Sequence, residues 1–263
     1  MPVTFFAHQA PLLPVVRRWP NAVDGVALAI GSMSPDFAYL LNGSRYQVWA
    51  HGFPGVALFC IPVTMLVTWI VVHLLAAVVP DHLPELGSFH LRDLRNLASR
   101  RSRLGKVVVW AEIGALSHVA LDEFTHDWGW FAKHLSWYSR PLTGHLLFGR
   151  EVTVFRLAQY IGDVGGVALC VWLLGRYGND RWMADRNGRT PVLVTTTVSH
   201  AVLCLSTGVG LAVGALWVRA DPNGSATDII RLAATAFAGL VVGASVVRLT
   251  AERAASNALA DER

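Results

Sequence analysis

The sequence predicts an all-α fold: a polytopic membrane helix bundle with about five spanning helices and a short N-terminal helical hairpin. Two properties of the chain point to it. Of its 263 residues 53% are hydrophobic, with a mean hydropathy of +0.43, which is too apolar for an ordinary soluble domain. Charged residues make up only 15% and gather between apolar runs long enough to cross about 30 Å of hydrocarbon.

In chain order, residues 1–20 carry four prolines after Met1 and the pair Arg17-Arg18, too short and broken to span. Residues 21–34 are small and apolar and suit a short, tightly packed helix. Together they could form a half-depth hairpin, tolerated only when buried in protein. Ser34-Pro35-Asp36 is expected to break that helix, because the residue before proline avoids the α region. The N-terminus lacks the basic start of a secretory signal, so His8 is expected to survive in the mature protein. Gly55–Val79 is the first full span, with His73 near its far end in a structural or interfacial role. Residues 80–106 are a basic loop, and Val107–Phe124 is an amphipathic helix. Residues 125–152 form a loop dense in aromatics, including Trp128, Trp130, Phe131, Trp137, Tyr138 and Phe148. Val152–Gly175 can span, residues 176–190 are basic again, and Pro191–Val218 and Ile229–Leu249 are two clear spans. Asp221-Pro222-Asn223-Gly224 reads as the turn between them, and 250–263 as a polar tail. No repeat or linker divides the chain, so one integral domain is expected: 1–175 as a metal-site part, 176–263 as two further spans and the tail. Cys60, Cys170 and Cys204 lie in apolar runs without metal-type spacing and read as buried thiols.

The net charge of +4 is topology information rather than a nucleic-acid footprint. Basic loops stay cytoplasmic, which puts 80–106, 176–190 and the C-terminus inside an expected plasma membrane. His51 and His126 then fall on the extracytoplasmic face. Asp36 shares that side, and His8 returns to it if residues 9–34 dip inward as a hairpin.

The residues that carry chemistry begin with His118, Asp122 and His126. Four residues advance a helix by only about 40°, so the three share one stripe, continued by Ala111 and Ala115, which leave room for another backbone to come close. Two imidazoles and a carboxylate on one face suit a divalent transition metal, and ionisable groups in an apolar segment are a functional hypothesis by default. Polar contacts between membrane helices are the alternative. With His8, Asp36 and His51 on the same face, six ligands are at hand, with His134 and His145 in the following loop. Asp122 at their centre would suffice for two metals sharing a carboxylate. Close approach of Asp36, His51, His118 and Asp122, with tips within about 5 Å, is the geometric requirement.

The N-terminal Phe6-Ala7-His8, the segment Gly31-Ser32-Met33-Ser34-Pro35-Asp36, His51, and Gly114-Ala115-Leu116-Ser117-His118 through Asp122 to His126 resemble, in that order, the membrane-bound metal-dependent hydrolases. These are related at motif level to zinc-dependent phospholipase C and the S1/P1-type nucleases. More narrowly, the chain resembles an uncharacterised membrane family within that group, known only as a domain of unknown function. The resemblance covers roughly residues 1–175. It implies one metal at Asp36, His51, His118 and Asp122, a bridging Asp122 with His8 beside a neighbouring metal, and His126 opening a further site. Soluble relatives complete that site with His-x₃-Asp/Glu, whereas here His145 is followed at that position by Gly149, and the nearest acid is Glu151. They also use a free N-terminal amine, which needs a processed N-terminus. One or two divalent ions, zinc first, are therefore expected, with Asp36 and Asp122 as the catalytic carboxylates.

Other polar residues have blander readings. Glu112 is off the stripe and suits packing or solvent. Glu123 and Asp127 could orient a ligating imidazole or be solvated. Lys133 and Arg140 could bind a phosphate or lipid headgroups, and the tryptophans an interfacial belt or a substrate mouth. His200 reads as structural. The leading function is a metal-dependent phosphoester hydrolase acting on an amphiphilic substrate, a lipid phosphate or diphosphate at the outer face of the bilayer. The alternatives are a metal-assisted lyase or cyclase acting on a prenyl diphosphate, and a non-enzymatic membrane scaffold or transporter.

Overall fold

In the computed structural model, which describes residues 5–100, 102–147, 150–184 and 195–261, the chain is helical with one small β-hairpin. Among the described residues five segments are long and apolar enough to cross a membrane: Phe53–Val78, Leu104–His134, Val154–Asn179, Thr197–Ala220 and Ala226–Asp261. The expected helical membrane architecture is therefore met. Contacts divide the chain into two compact units, Met1–Ala38 with Gln47–Met65 and Ser102–Arg176, and Tyr39–Tyr46 with Leu66–Arg101 and Tyr177–Arg263.

The first unit opens with four short helices, α1 (Phe5–Gln9), α2 (Leu13–Arg18), α3 (Gly25–Gly31) and α4 (Ser34–Phe37). Asp24 caps α3 by accepting from the Ala27 N–H at 2.9 Å, and Val16 of α2 lies directly against Gly25. The expected break at Ser34-Pro35 falls two residues earlier. Ser32 and Met33 end α3, and Pro35 sits inside the first turn of α4, where its missing N–H has no helical partner to lose. Helix α5 (Phe53–Val78) contains Pro62, which cannot donate to the carbonyl four residues back. The turn before it, Val56–Cys60, is widened to π-helical form, and Ile61 N–H reaches back five residues to the Val56 carbonyl. Helix α6 (Leu104–Thr125) buries Ala111, Gly114, Ala115, His118 and Asp122 on one face.

The aromatic segment 125–152 is not an unstructured loop. It folds into α7 (Trp130–His134), α8 (Ser136–Ser139) and a hairpin of β1 (Pro141–Leu147) with β2 (Arg150–Thr153), Leu146 pairing with Glu151. Two local bonds stabilise it: the Glu123 carboxylate accepts from Trp130 N–H at the start of α7, and Tyr138 Oη donates to the Phe124 carbonyl at 2.7 Å. Phe148 lies outside the described residues. Helix α9 (Val154–Asn179) follows directly.

In the second unit, residues 80–99 form successive 3₁₀ turns rather than an open loop. The Arg181 guanidinium pairs there with both oxygens of Asp93, at 2.8 and 2.9 Å. Helices α10 (Thr197–Ala220) and α11 (Ser225–Asp261) pack through small residues. A Cβ on Gly210 would stand 2.2 Å from the Thr235 carbonyl oxygen, and one on Gly239 2.2 Å from that of Ser206, so only bare backbones fit at this crossing. The expected polar tail is helical to Asp261, continuing α11. The start of the Pro191–Val218 span, residues 191–194, lies outside the described residues, and the helix begins at Thr197. Arg231 is buried, donates to the Asp221 carbonyl and carboxylate and to the Asn42 carbonyl, and lies 4.7 Å from the Trp217 ring centroid. Of the cysteines, Cys60 and Cys170 are buried as expected, whereas Cys204 is exposed on α10.

Candidate metal centre

The centre is assembled in the first unit from four separate stretches of chain. Helix α6 presents His118 and Asp122 one turn apart, with His118 Nε2 3.2 Å from Asp122 Oδ2. Asp36 enters from α4, and its Oδ1 is 3.6 Å from His118 Nε2 and 3.7 Å from His51 Nε2. His51, just before α5, lies 3.3 Å from Asp122 Oδ2. His8 of α1 stacks on the His118 ring with centroids 4.0 Å apart, and its Nε2 is 3.8 Å from Asp122 Oδ1. All five are buried.

Close backbone approaches set this geometry. A Cβ on Gly31 would stand 2.5 Å from the Ala111 carbonyl oxygen, and one on Gly114 2.4 Å from that of Leu28, so α3 and α6 touch backbone to backbone. The room left by Ala111 and Ala115 is thus filled by α3. The contact brings the Ser32 carbonyl within 2.8 Å of His118 Nδ1. His118 Nδ1–H donates to it, which fixes the tautomer and turns the Nε2 lone pair toward the two carboxylates. Gly55 has a similar role: its bare Cα lets the Trp49 carbonyl fold onto the start of α5, which aims His51 inward, and Gly166 of α9 does the same for Ala7 beside His8.

Two triads lie with their donor atoms within 4.8 Å of one another, His8/His118/Asp122 and Asp36/His51/His118. They could hold a metal ion. The spacing fits: bonds of about 2.0–2.2 Å in tetrahedral geometry put neighbouring donors about 3.3 Å apart. His118 Nε2 is buried without a hydrogen-bond partner although a carboxylate oxygen lies near, the orientation expected of donors that face a common point rather than each other. The charge fits too. Two ionised carboxylates among three neutral imidazoles carry −2, which one divalent cation offsets, and uncompensated buried charge is costly. Both triads use His118, whose Nδ1 is already committed, so its single lone pair can serve one ion only.

Without an ion, the groups outside the spans divide: His8 and Asp36 are held in the charge state a metal needs, whereas His51 is drawn toward its protonated form, which a bound cation would have to displace. Burial, then the neighbouring His118 ring, lowers the His8 pKa to about 4, which keeps the imidazole neutral and able to ligate. Burial works to raise Asp36, but the nearby His118 and His51 rings outweigh it and hold the carboxyl below the usual range. Burial also pulls His51 down, and Asp122 and Asp36 more than offset it, so its value is raised.

His126 stands apart from both triads. The stripe predicted for it ends one residue too soon: α6 stops at Thr125, and His126 is the extended C-cap residue, its N–H bonded to the Asp122 carbonyl. Its Nδ1 is 3.4 Å from Asp122 Oδ1 and 3.1 Å from Thr125 Oγ1, and the Gln159 amide lies 3.3 Å from its Nε2. Trp128 stacks on the same ring and stands 5.4 Å from His51. His134 is exposed, bonded to the Trp130 carbonyl, and the His145 side chain lies outside the described residues, as does Met1. Lys133 and Arg140 are exposed, and His73 bonds to the Trp69 carbonyl. Sequence reasoning missed Ser32, Gly55, Gly114, Gly166 and Gln159 as contributors. Only the small residues around Ser32 and Gly114 carried a signal, and that signal was close packing.

Fold and site define a polytopic helical membrane protein with a buried His/Asp centre that could hold a metal ion. The chain belongs to the family described as a domain of unknown function, DUF4184, whose profile matches residues 1–249. That match takes in both last spans, beyond the reach of the motif resemblance, and it establishes no link to phospholipase C or the nucleases. No curated protein and no solved structure matches the chain.

Proposed function

We propose that the protein is a metal-dependent phosphoesterase acting on a membrane lipid phosphate or diphosphate at the extracytoplasmic face. The observation that carries this reading is the convergence of Asp36, His51, His118 and Asp122 at 3.2–3.7 Å, with His118 Nδ1 tied to the Ser32 carbonyl. A divalent ion bound there, zinc by the donor set, supplies Lewis acidity toward water and toward phosphoryl oxygens. The chain's own groups do the rest. Asp122 is the hub, with Oδ2 facing His51 and His118 and Oδ1 facing His8 and His126. Asp36 offers Oδ1 to His51 and His118, and in this reading its carboxylate takes the proton from attacking water. The position beside the ends of apolar spans suits an amphiphilic substrate better than a soluble one. The motif resemblance to zinc-dependent phospholipase C supports the same chemistry.

The test is phosphate or alcohol release from lipid phosphates by the purified chain. Activity should vanish on chelation, return with zinc, and be absent in Asp122→Asn; full activity in metal-free protein would sink the proposal. A second reading, a lyase or cyclase acting on a prenyl diphosphate, draws on Trp49 and Trp128, whose rings stand 5.5 Å apart beside His51 and could shield a carbocation. A hydrocarbon skeleton rather than an alcohol as product would favour it. Absence of bound metal by elemental analysis would favour a scaffold or transporter.

A further inference from the structure

A separate cavity of about 580 Å³ opens in the same unit, lined by Asp127, Arg150, Glu151 and Arg156, with Phe155 on its wall. Its charges are two of each sign. Among the described residues no ion pair joins any of them, although opposite charges in one hollow would ordinarily pair. Arg156 Nε is buried without an acceptor, and the guanidinium carbon lies 5.4 Å from the Phe155 ring centroid. The Arg156 backbone N–H donates to Thr153 Oγ1, which fixes the first turn of α9 and with it the start of this side chain.

Asp127 follows the end of α6 by two residues, and Arg156 is the third residue of α9. Both are therefore at the ends of membrane-crossing helices, where the hydrocarbon gives way to headgroups. The contact of Gln159 with His126 ties these two helix ends together, and Gln159 lies one turn beyond Arg156 on α9. The cavity thus adjoins the half-buried His126 edge of the metal centre.

A bare phosphate in this hollow would gain Arg150 and Arg156 but face two carboxylates, and a simple amine would meet the converse. A ligand carrying both charges a few ångströms apart satisfies all four groups. We propose that the cavity binds the zwitterionic headgroup of a phospholipid, its phosphate on Arg150 and Arg156 and its ammonium on Asp127 and Glu151. Assigning that lipid as the substrate rests on the phosphoesterase reading; binding does not.

The test uses the full chain in maltoside detergent, chelated so that no turnover occurs, and calorimetric titration with dicaproyl phosphatidylethanolamine, dicaproyl phosphatidylglycerol and free phosphoethanolamine. The ethanolamine lipid should bind at least tenfold more tightly than the other two. Arg156→Gln should weaken it tenfold or more, and Glu151→Gln should erase the preference over the glycerol lipid. Arg150→Gln, at an exposed position, serves in place of Arg156→Gln if that variant melts early. Equal affinity for the two lipids, or variants that bind as the parent does, would overturn the proposal. Free phosphoethanolamine binding as tightly as the lipid would overturn the lipid assignment. Binding without any hydrolysis in zinc would leave this site intact and refute only the phosphoesterase.

Discussion

Gly114→Ala probes the contact on which the centre is built. The added methyl carbon would stand 2.4 Å from the Leu28 carbonyl oxygen and 2.8 Å from Ser32 N, both backbone atoms that no rotamer change can move. Restoring an ordinary contact of about 3.5 Å requires α3 and α6 to separate by about 1 Å. The 2.8 Å bond from His118 Nδ1 to the Ser32 carbonyl spans the same gap. It would stretch toward about 3.8 Å, beyond hydrogen-bond range. Overpacking of this kind costs about 1–3 kcal/mol, and a lost bond at a buried group about 1 kcal/mol more. Alanine recovers about 1 kcal/mol in helix propensity over glycine. The net loss is about 1–3 kcal/mol, a fall of roughly 2–10 °C in Tm for a chain of this size. The assay is thermal unfolding in detergent together with zinc content per chain, which should drop as His118 loses its fixed tautomer. Gly105→Ala on the same helix is the control, since a Cβ there meets nothing within 4 Å and should be neutral or stabilising. An unchanged or higher Tm for Gly114→Ala, with zinc content intact, would refute the close-packing argument.

Acid should weaken the metal-free protein in two stages. His8 is held at about 4 in the fold against an ordinary 6.5, so the unfolded chain takes up this proton first. The contribution of this group is then full above pH 6.5 and declines between 6.5 and about 4, by up to about 1.4 kcal/mol per pH unit, while the raised His51 runs the other way, its contribution present below 6.5 and lost as pH rises through its folded value. Asp36, depressed below 3.8, holds its contribution above that value and loses it as pH falls further, so both stages run the same way. A Tm–pH series should show the upper stage missing in His8→Gln. Arg231→Ala removes a buried guanidinium that ties Asp221 to Asn42, and should lower stability by about 3 kcal/mol, read from denaturant unfolding. Gly210→Leu would force the α10–α11 crossing apart at Thr235 and should cost about as much, with limited proteolysis near residues 221–224 as the readout.

Much of this was legible because it depends on short-range pattern. The apolar runs and the four-residue spacing of His118 and Asp122 follow from helix geometry alone, and all reappear, although the last run, expected as Ile229–Leu249, extends as a helix from Ser225 to Asp261. The errors have a common source. The break at Pro35, the end of α6 before His126 and the short helices Trp130–His134 and Ser136–Ser139 all depend on capping and tertiary contacts that override local preference. Pro35 reads as a helix breaker, yet it is equally suited to a first turn. His126 has the right spacing for the stripe, yet Thr125 ends the helix.

By itself, then, the sequence determined an all-helical membrane protein and a set of candidate donor residues, because hydrophobic length and helical periodicity are local properties. Tertiary structure alone decided which donors meet. His8, Asp36 and His51 lie 15 to 110 residues away from His118 or from one another in the chain. Their convergence depends on backbone contacts at Gly31, Gly55, Gly114 and Gly166. It also decided that His118 turns one nitrogen to Ser32 and the other to the carboxylates. That orientation arises from the packing of α3 on α6, which no spacing of histidines along the chain encodes.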